Sequence, residues 1–297
     1  MLKFKNIIVI LILILSSVSV HAQVDRNTIA ATLLQAGKLD SAKMVIDLAV
    51  ADTEYVNDGE TWYLRGFIYK SLYIKNEKNN KQSPSRLEAL SSFKRSLLID
   101  TASENILKNS ENIKLLCKML FNDVARGLDS INYKISIDNF DKFKKYWMII
   151  DTSQANFKKW DIEFLNALAS VYTQIYESNK TGKSEYLTLA KNAYTKVLSL
   201  DPNNYQANYD IGILYFNQAI NLIKQSDYGI DIVALNDIQD GSIKLFKEAL
   251  PLMIKADEIE PNRRETLLGL SAIYFSLNDQ EKSELYKKKL KDIENKK

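Results

Sequence analysis

The chain has 297 residues, enough for one large or two small domains. Hydrophobic residues make up 46% and charged residues 26%, with a formal net charge of +3, so the charge balance gives no case for nucleic acid or an anionic lipid surface as partner. With only 9 Gly and 4 Pro the chain is short of turns for a many-stranded sheet protein, its single cysteine excludes an internal disulfide, and its single histidine excludes a histidine metal site.

Residues 1–22 read as a cleaved secretory signal. Lys3 and Lys5 precede an apolar run from Ile7 to Leu15, small residues follow, and Val20-His21-Ala22 forms an A-x-A-like cleavage site. The run falls short of the roughly 20 residues that cross a bilayer. Its removal takes away Lys3, Lys5 and His21, leaving a nearly neutral chain with no histidine. The expected location is periplasmic or secreted, with no membrane insertion of the mature chain.

Residues 23–297 read as one domain of helical repeats, in units of roughly 28–53, 54–104, 105–155, 160–204, 205–263 and 264–297. Five joints set this spacing: Asp52, Asp100, Asp151, Asp201 and Glu260, each followed by Thr or Pro and each preceded by an apolar helical stretch. Polar stretches at 76–86, 129–139 and 177–186 divide units into two helices. Pro disfavours helical geometry in the residue before it and tolerates the first turn of a new helix, so Pro202 and Pro261 stop one helix and admit the next. Asn262 and Glu265 stand three apart, close to a capping box for the last pair.

Inside the units, in chain order, stand Trp62, Gly66 and Tyr69, then Ala89 and Phe93; Ala169 and Tyr172, then Ala190, Tyr194 and Pro202; Gly212 and Tyr215, then Ala249, Ala256 and Pro261; and finally Ser271 and Tyr274. This pattern resembles the tetratricopeptide repeat family, of an exported bacterial type with lengthened repeats, since the family unit is about 34 residues. Arg65 stands where the family has Leu. The resemblance implies an all-α, right-handed α-solenoid of stacked antiparallel helix pairs, five to six hairpins in all. Physically, the small residues let paired helices cross closely while Phe93 and Tyr194 fill the gaps.

The chemistry-bearing motifs are weak. Gly182-Lys183-Ser184 ends like a phosphate loop, but Glu177 occupies the position of the needed earlier Gly. Asp240-Gly241 lies in a stretch like a calcium loop, yet Ile238 and Lys247 stand at liganding positions, and it reads instead as a helix break. Cys117, on an apolar helical face, reads as core. No pair of carboxylates stands out from the surface charge, so neither catalysis, cofactor nor metal is expected; a hydrolase using carboxylates alone is the weakest reading.

A partner-binding groove follows from one spacing rule applied around each small crossing residue on the first helix of a pair. It gives Tyr63, Phe67 and Lys70; Lys114, Lys118 and Phe121 around Cys117; Asn166, Ser170 and Thr173; Tyr209, Ile213 and Phe216; and Leu268, Ala272 and Phe275. Phe67, Ile213 and Phe216 fit a groove or a core equally well. The resemblance implies a non-enzymatic scaffold or adaptor that takes a protein or peptide partner of the cell envelope. The alternative is capture of a glycan or small molecule, suggested by 16 Tyr, 11 Phe and 3 Trp.

Overall fold

The computed structural model describes residues 25–100, 105–224 and 231–295, so the expected leader at 1–22 and Thr101 of the second joint lie outside the described residues. Among the described residues there are twelve α-helices and no strand. In chain order they are α1 (Arg26–Gln35), α2 (Leu39–Val50), α3 (Gly59–Ser71), α4 (Pro84–Ile99), α5 (Asn105–Gly127), α6 (Tyr133–Trp147), α7 (Gln154–Ser178), α8 (Glu185–Leu200), α9 (Tyr205–Ile223), α10 (Ile232–Ile259), α11 (Arg264–Ser276) and α12 (Gln280–Glu294); α1 packs on α2, α3 on α4, α7 on α8, α9 on α10 and α11 on α12, and Phe121 of α5 meets Phe143 of α6 at 5.0 Å. The fold class is therefore all-α, built from stacked helix pairs as the sequence leads one to expect. The chain divides into two compact units, one running to Asp123 and including Asp138–Thr152, the other formed by Val124–Ile137 and the chain from Ser153 onward.

The joints work by the expected chemistry. Asp201 ends α8 in extended backbone and Glu260 ends α10 outside helical geometry, immediately before Pro202 and Pro261, which are both exposed. Asn204 then caps α9 by accepting the Ala207 N–H, and Asp58 caps α3 by accepting from Glu60 and Thr61. Each such cap is worth about 1 kcal/mol. The capping box at the last joint does not form. Asn262 adopts a left-handed conformation (φ 65°), the cap residue is Arg263, and Glu265 pairs with the Arg263 guanidinium instead.

Lengthened repeats arise in different ways. The first and last pairs are compact, joined by turns in which Gly37 (φ 73°) and Asn278 (φ 61°) take the left-handed conformation that ends a helix. In the second pair, α3 runs on through a π-helical turn at Leu72–Asn76 and a loop to Ser83. In the fifth, α10 continues unbroken through Asp240-Gly241, correcting the expected helix break, and also carries Pro251 inside it. Segment 129–139 is mostly helix: α6 begins at Tyr133, and its amphipathic face buries Tyr133, Ser136 and Phe140.

Close helix crossing holds the pairs. A methyl group on Gly66 would lie 2.6 Å from the Phe93 ring, so α3 and α4 meet where only hydrogen fits. In the second unit Met253 of α10 fills the space left by two glycines: a methyl on Gly212 would meet its Cγ at 2.7 Å, and one on Gly269 its Cε at 2.5 Å. Ala89, Ala169, Ala190, Ala249 and Ala256 are all buried, as are Tyr69, Phe93, Tyr172, Tyr194 and Tyr274; Trp62 and Tyr215 are half-buried. Buried serines tie second helices to first: Ser96 Oγ donates to the Gly59 carbonyl, Ser136 Oγ to Val124 and Ser283 Oγ to Ser271.

Charged groups complete the first unit. Arg65 joins three helices, donating to Asp47 of α2 (2.9 Å), and to Glu88 (2.9 Å) and Ser92 (2.7 Å) of α4, while lying over the Tyr69 ring (4.4 Å). Arg86 is only 2% exposed and reaches Asp123 of α5 at 2.6 Å.

Replacing Gly66 by Ala gains about 1 kcal/mol of helix propensity but overpacks against Phe93, which typically costs about 1–3 kcal/mol. Gly66→Ala is therefore expected to lower the urea midpoint with an unchanged slope; a raised midpoint would show that the helices do not meet there.

Candidate functional site

The stripe expected to bind a partner divides between the two units. In the first, Tyr63 and Phe67 lie one turn apart on α3 with ring centres 6.4 Å apart, and Tyr63 also packs on Phe93 (6.0 Å). Lys70 lies over the Phe67 ring (4.3 Å) and donates to Asn112 of α5 at 2.5 Å. Burial holds its ammonium below the usual lysine range. Lys70 is thus a half-buried group bridging two pairs, while Lys114 and Lys118 are exposed on α5.

Beside these lysines the structure holds a cleft of about 430 Å³, lined by Leu107, Ser110, Glu111 and Lys114 of α5 and by Trp147, Ile150 and Asp151 at the end of α6. Its size falls in the range of small-ligand sites. The α5 residues lie on one face because their spacing is i, i+3, i+4, i+7. The Trp147 indole donates to the Asp151 carboxylate at 3.3 Å. Of these residues the spacing rule finds only Lys114. The α5 stripe was visible as spacing, but its apposition to Trp147 depends on how α6 folds back.

In the second unit, Asn166 of α7 donates to Asn204, the cap residue of α9, at 3.2 Å. In the first unit Asn27 of α1 likewise donates to Asp58, the cap residue of α3, at 3.2 Å. These asparagines lock the first helix of one pair to the start of the next. The Thr173 hydroxyl donates back to the Ala169 carbonyl, and Ser170 is exposed. Tyr209, Ile213 and Phe216 are half-buried and flank a core of Phe246, Met253, Leu270, Ile273 and Tyr274. Tyr209 stacks on Tyr205 (5.8 Å) and Phe216 tilts onto Phe246 (5.6 Å). On α11, Leu268 is 51% and Phe275 57% exposed. Those two residues lie two helical turns apart, so they present one apolar face.

Electrostatics adds little chemistry. Burial pushes the Cys117 thiol up to about 12, which keeps it protonated and unreactive. The Tyr133 phenol, buried and hydrogen-bonded to Tyr186, is pushed up to about 12. Gly182-Lys183-Ser184 lies in the turn before α8, where the Gly182 N–H bonds to Asn179. Among the described residues no group of three or more His, Cys, Asp or Glu is placed to hold a metal ion, and no helix is long and apolar enough to cross a membrane.

No family model and no curated protein matches the chain. Solved structures that it resembles include a crystal structure of MamA, 14% identical over 90% of this chain and 95% of that one, with a TM-score of 0.30. Another is the human IFIT1 dimer with m7Gppp-AAAA, 15% identical over 93% of this chain and 61% of that one, with a TM-score of 0.33. A third is Acl4, an assembly chaperone of RpL4, 13% identical over 92% and 98% of the two chains, with a TM-score of 0.24.

Asp210 of α9 offers a pH readout of the α8–α9 contact. It accepts from Tyr194 at 2.7 Å and Gln206 at 2.6 Å, yet burial outweighs these bonds and holds its carboxyl above the ordinary value of 3.8. A carboxyl that binds its proton more tightly when folded gives stability that is complete below the unfolded pKa and is lost as pH rises through the folded one. Asp210→Asn keeps an acceptor and abolishes the titration. Its melting temperature relative to the natural protein is therefore expected to rise as pH increases from roughly 3 to neutrality; a difference that does not change with pH would refute the assignment.

Proposed function

We propose that the chain is a non-enzymatic binding scaffold, exported to the cell envelope, that holds an extended or helical segment of a protein partner. One observation carries this reading most directly: the apolar face of α11 at Leu268 and Phe275, two turns apart and each more than half exposed. Large apolar side chains on one helical face, next to a preformed core, suit a partner segment with apolar anchors. The buried Cys117 stays protonated, and Asn166 and Thr173, committed to structural hydrogen bonds, stand outside the proposed contact face. Export rests on the sequence of residues 1–22.

A photo-crosslinking amino acid in place of Phe275 tests the reading in intact cells. The expected result is a discrete protein adduct that is weakened by Leu268→Glu and does not form from the same group at the exposed position Lys288. Equal labelling from the two positions would refute the groove.

A further inference from the structure

We infer that Lys70, where α3 meets α5, is a docking point for an acidic side chain, Asp or Glu, of a partner protein segment. The inference uses residues of the first unit alone and does not rest on the α11 face. Lys70 donates to Asn112 Oδ1 at 2.5 Å and lies over the Phe67 ring at 4.3 Å. Both neighbours are uncharged, and among the described residues no carboxylate pairs with the ammonium. An ammonium has three donors, of which the protein uses one. The cation is therefore half-buried and uncompensated, a cost that a partner carboxylate relieves. Burial also holds it below the usual lysine range, in keeping with that environment.

The surroundings favour a protein segment as the source of the carboxylate. The Asn112 amide is fixed by its own bond, Nδ2 donating to the Lys108 carbonyl at 2.7 Å, so its Oδ1 stays turned to Lys70. Glu111, adjacent in sequence, lines the cleft with Trp147 and does not pair with Lys70. Lys108 and Leu115 stand four before and three after Asn112, so the α5 face that meets Lys70 carries a second, exposed cation and an apolar side chain that is 45% exposed. On α3, the half-buried Tyr63 and Phe67 share the stripe of Lys70. A cation flanked by aromatic and aliphatic surface suits an acidic residue set between apolar ones; a free anion gains nothing from those flanks.

The test uses the full chain and short, fluorescently labelled peptides, blocked at the C-terminus as amides, in which leucines flank a central Glu, Asp, Gln or Lys. By fluorescence anisotropy the Glu and Asp peptides are expected to bind roughly tenfold more tightly than the Gln peptide, the size of a charge-assisted hydrogen bond, with Lys the weakest. Carbodiimide coupling, which joins an amine to a carboxylate in contact with it, should link the Glu peptide to Lys70. Lys70→Met should erase the preference and leave Gln-peptide binding unchanged, and Lys70→Arg should retain the preference. Asn112→Asp supplies the missing carboxylate from within and should erase the preference without lowering the melting temperature, a loss that misfolding does not explain. Equal binding of Glu and Gln peptides, no binding of any peptide, or a preference that survives Lys70→Met or Asn112→Asp overturns the docking point. Displacement of the Glu peptide by acetate at equal concentration overturns it as well, since the site would then take free carboxylates. None of these outcomes bears on the Phe275 adduct, which tests the α11 face separately.

Discussion

The close crossing of two helices at a position without a side chain governs this structure. Phe93 enters the gap at Gly66, and Met253 enters the gaps at Gly212 and Gly269. An amphipathic helix alone leaves its apolar face in water, and a pair held at ordinary separation would leave the rings of the second helix half solvated. Close approach lets one large side chain reach the core of its own pair. Small hydroxyls such as Ser96 and Ser283 then satisfy backbone carbonyls that the tight contact removes from water.

Contacts between pairs are more polar. Asn27 and Asn166 each bond to the cap residue of the next first helix, so the group that starts a helix also receives the neighbouring pair. Arg65 and Arg86 place guanidinium groups among packed helices, Arg65 held by Asp47 and Glu88 and Arg86 by Asp123, all from other helices. Such pairs add little net stability over apolar packing but strongly penalise a misaligned neighbour, because a buried charge would lose its partner. Register between pairs is thereby specified by polar groups, while cohesion within a pair comes from packing.

The helical periodicity, the Asp-Pro and Glu-Pro stops and the small crossing residues were legible because each is a local backbone or volume requirement. What failed to read was decided by tertiary context. Asn262 and Glu265 had the spacing of a cap, but Asn262 went left-handed and Arg263 took the carboxylate. Asp240-Gly241 looked like a break, yet packing of α10 on α9 carries helix through it. Lys70 and Asn166 were read as groove residues, and their bonds to Asn112 and Asn204 could not be seen because those partners lie some forty residues away in sequence. The cleft beside Trp147 was missed for the same reason: half of its wall is on another helix.

Met253 belongs to two pairs at once, sitting against Gly212 in its own and Gly269 in the next. In a simple stack each pair opens with a free energy set by itself and one interface, and a terminal pair frays first. Here α11 cannot leave without opening a void around a thioether that also props α9 against α10. Fraying at the C-terminal end is thus coupled to loss of the preceding pair, and amide protons of α9, α10 and α11 should exchange as one cooperative block.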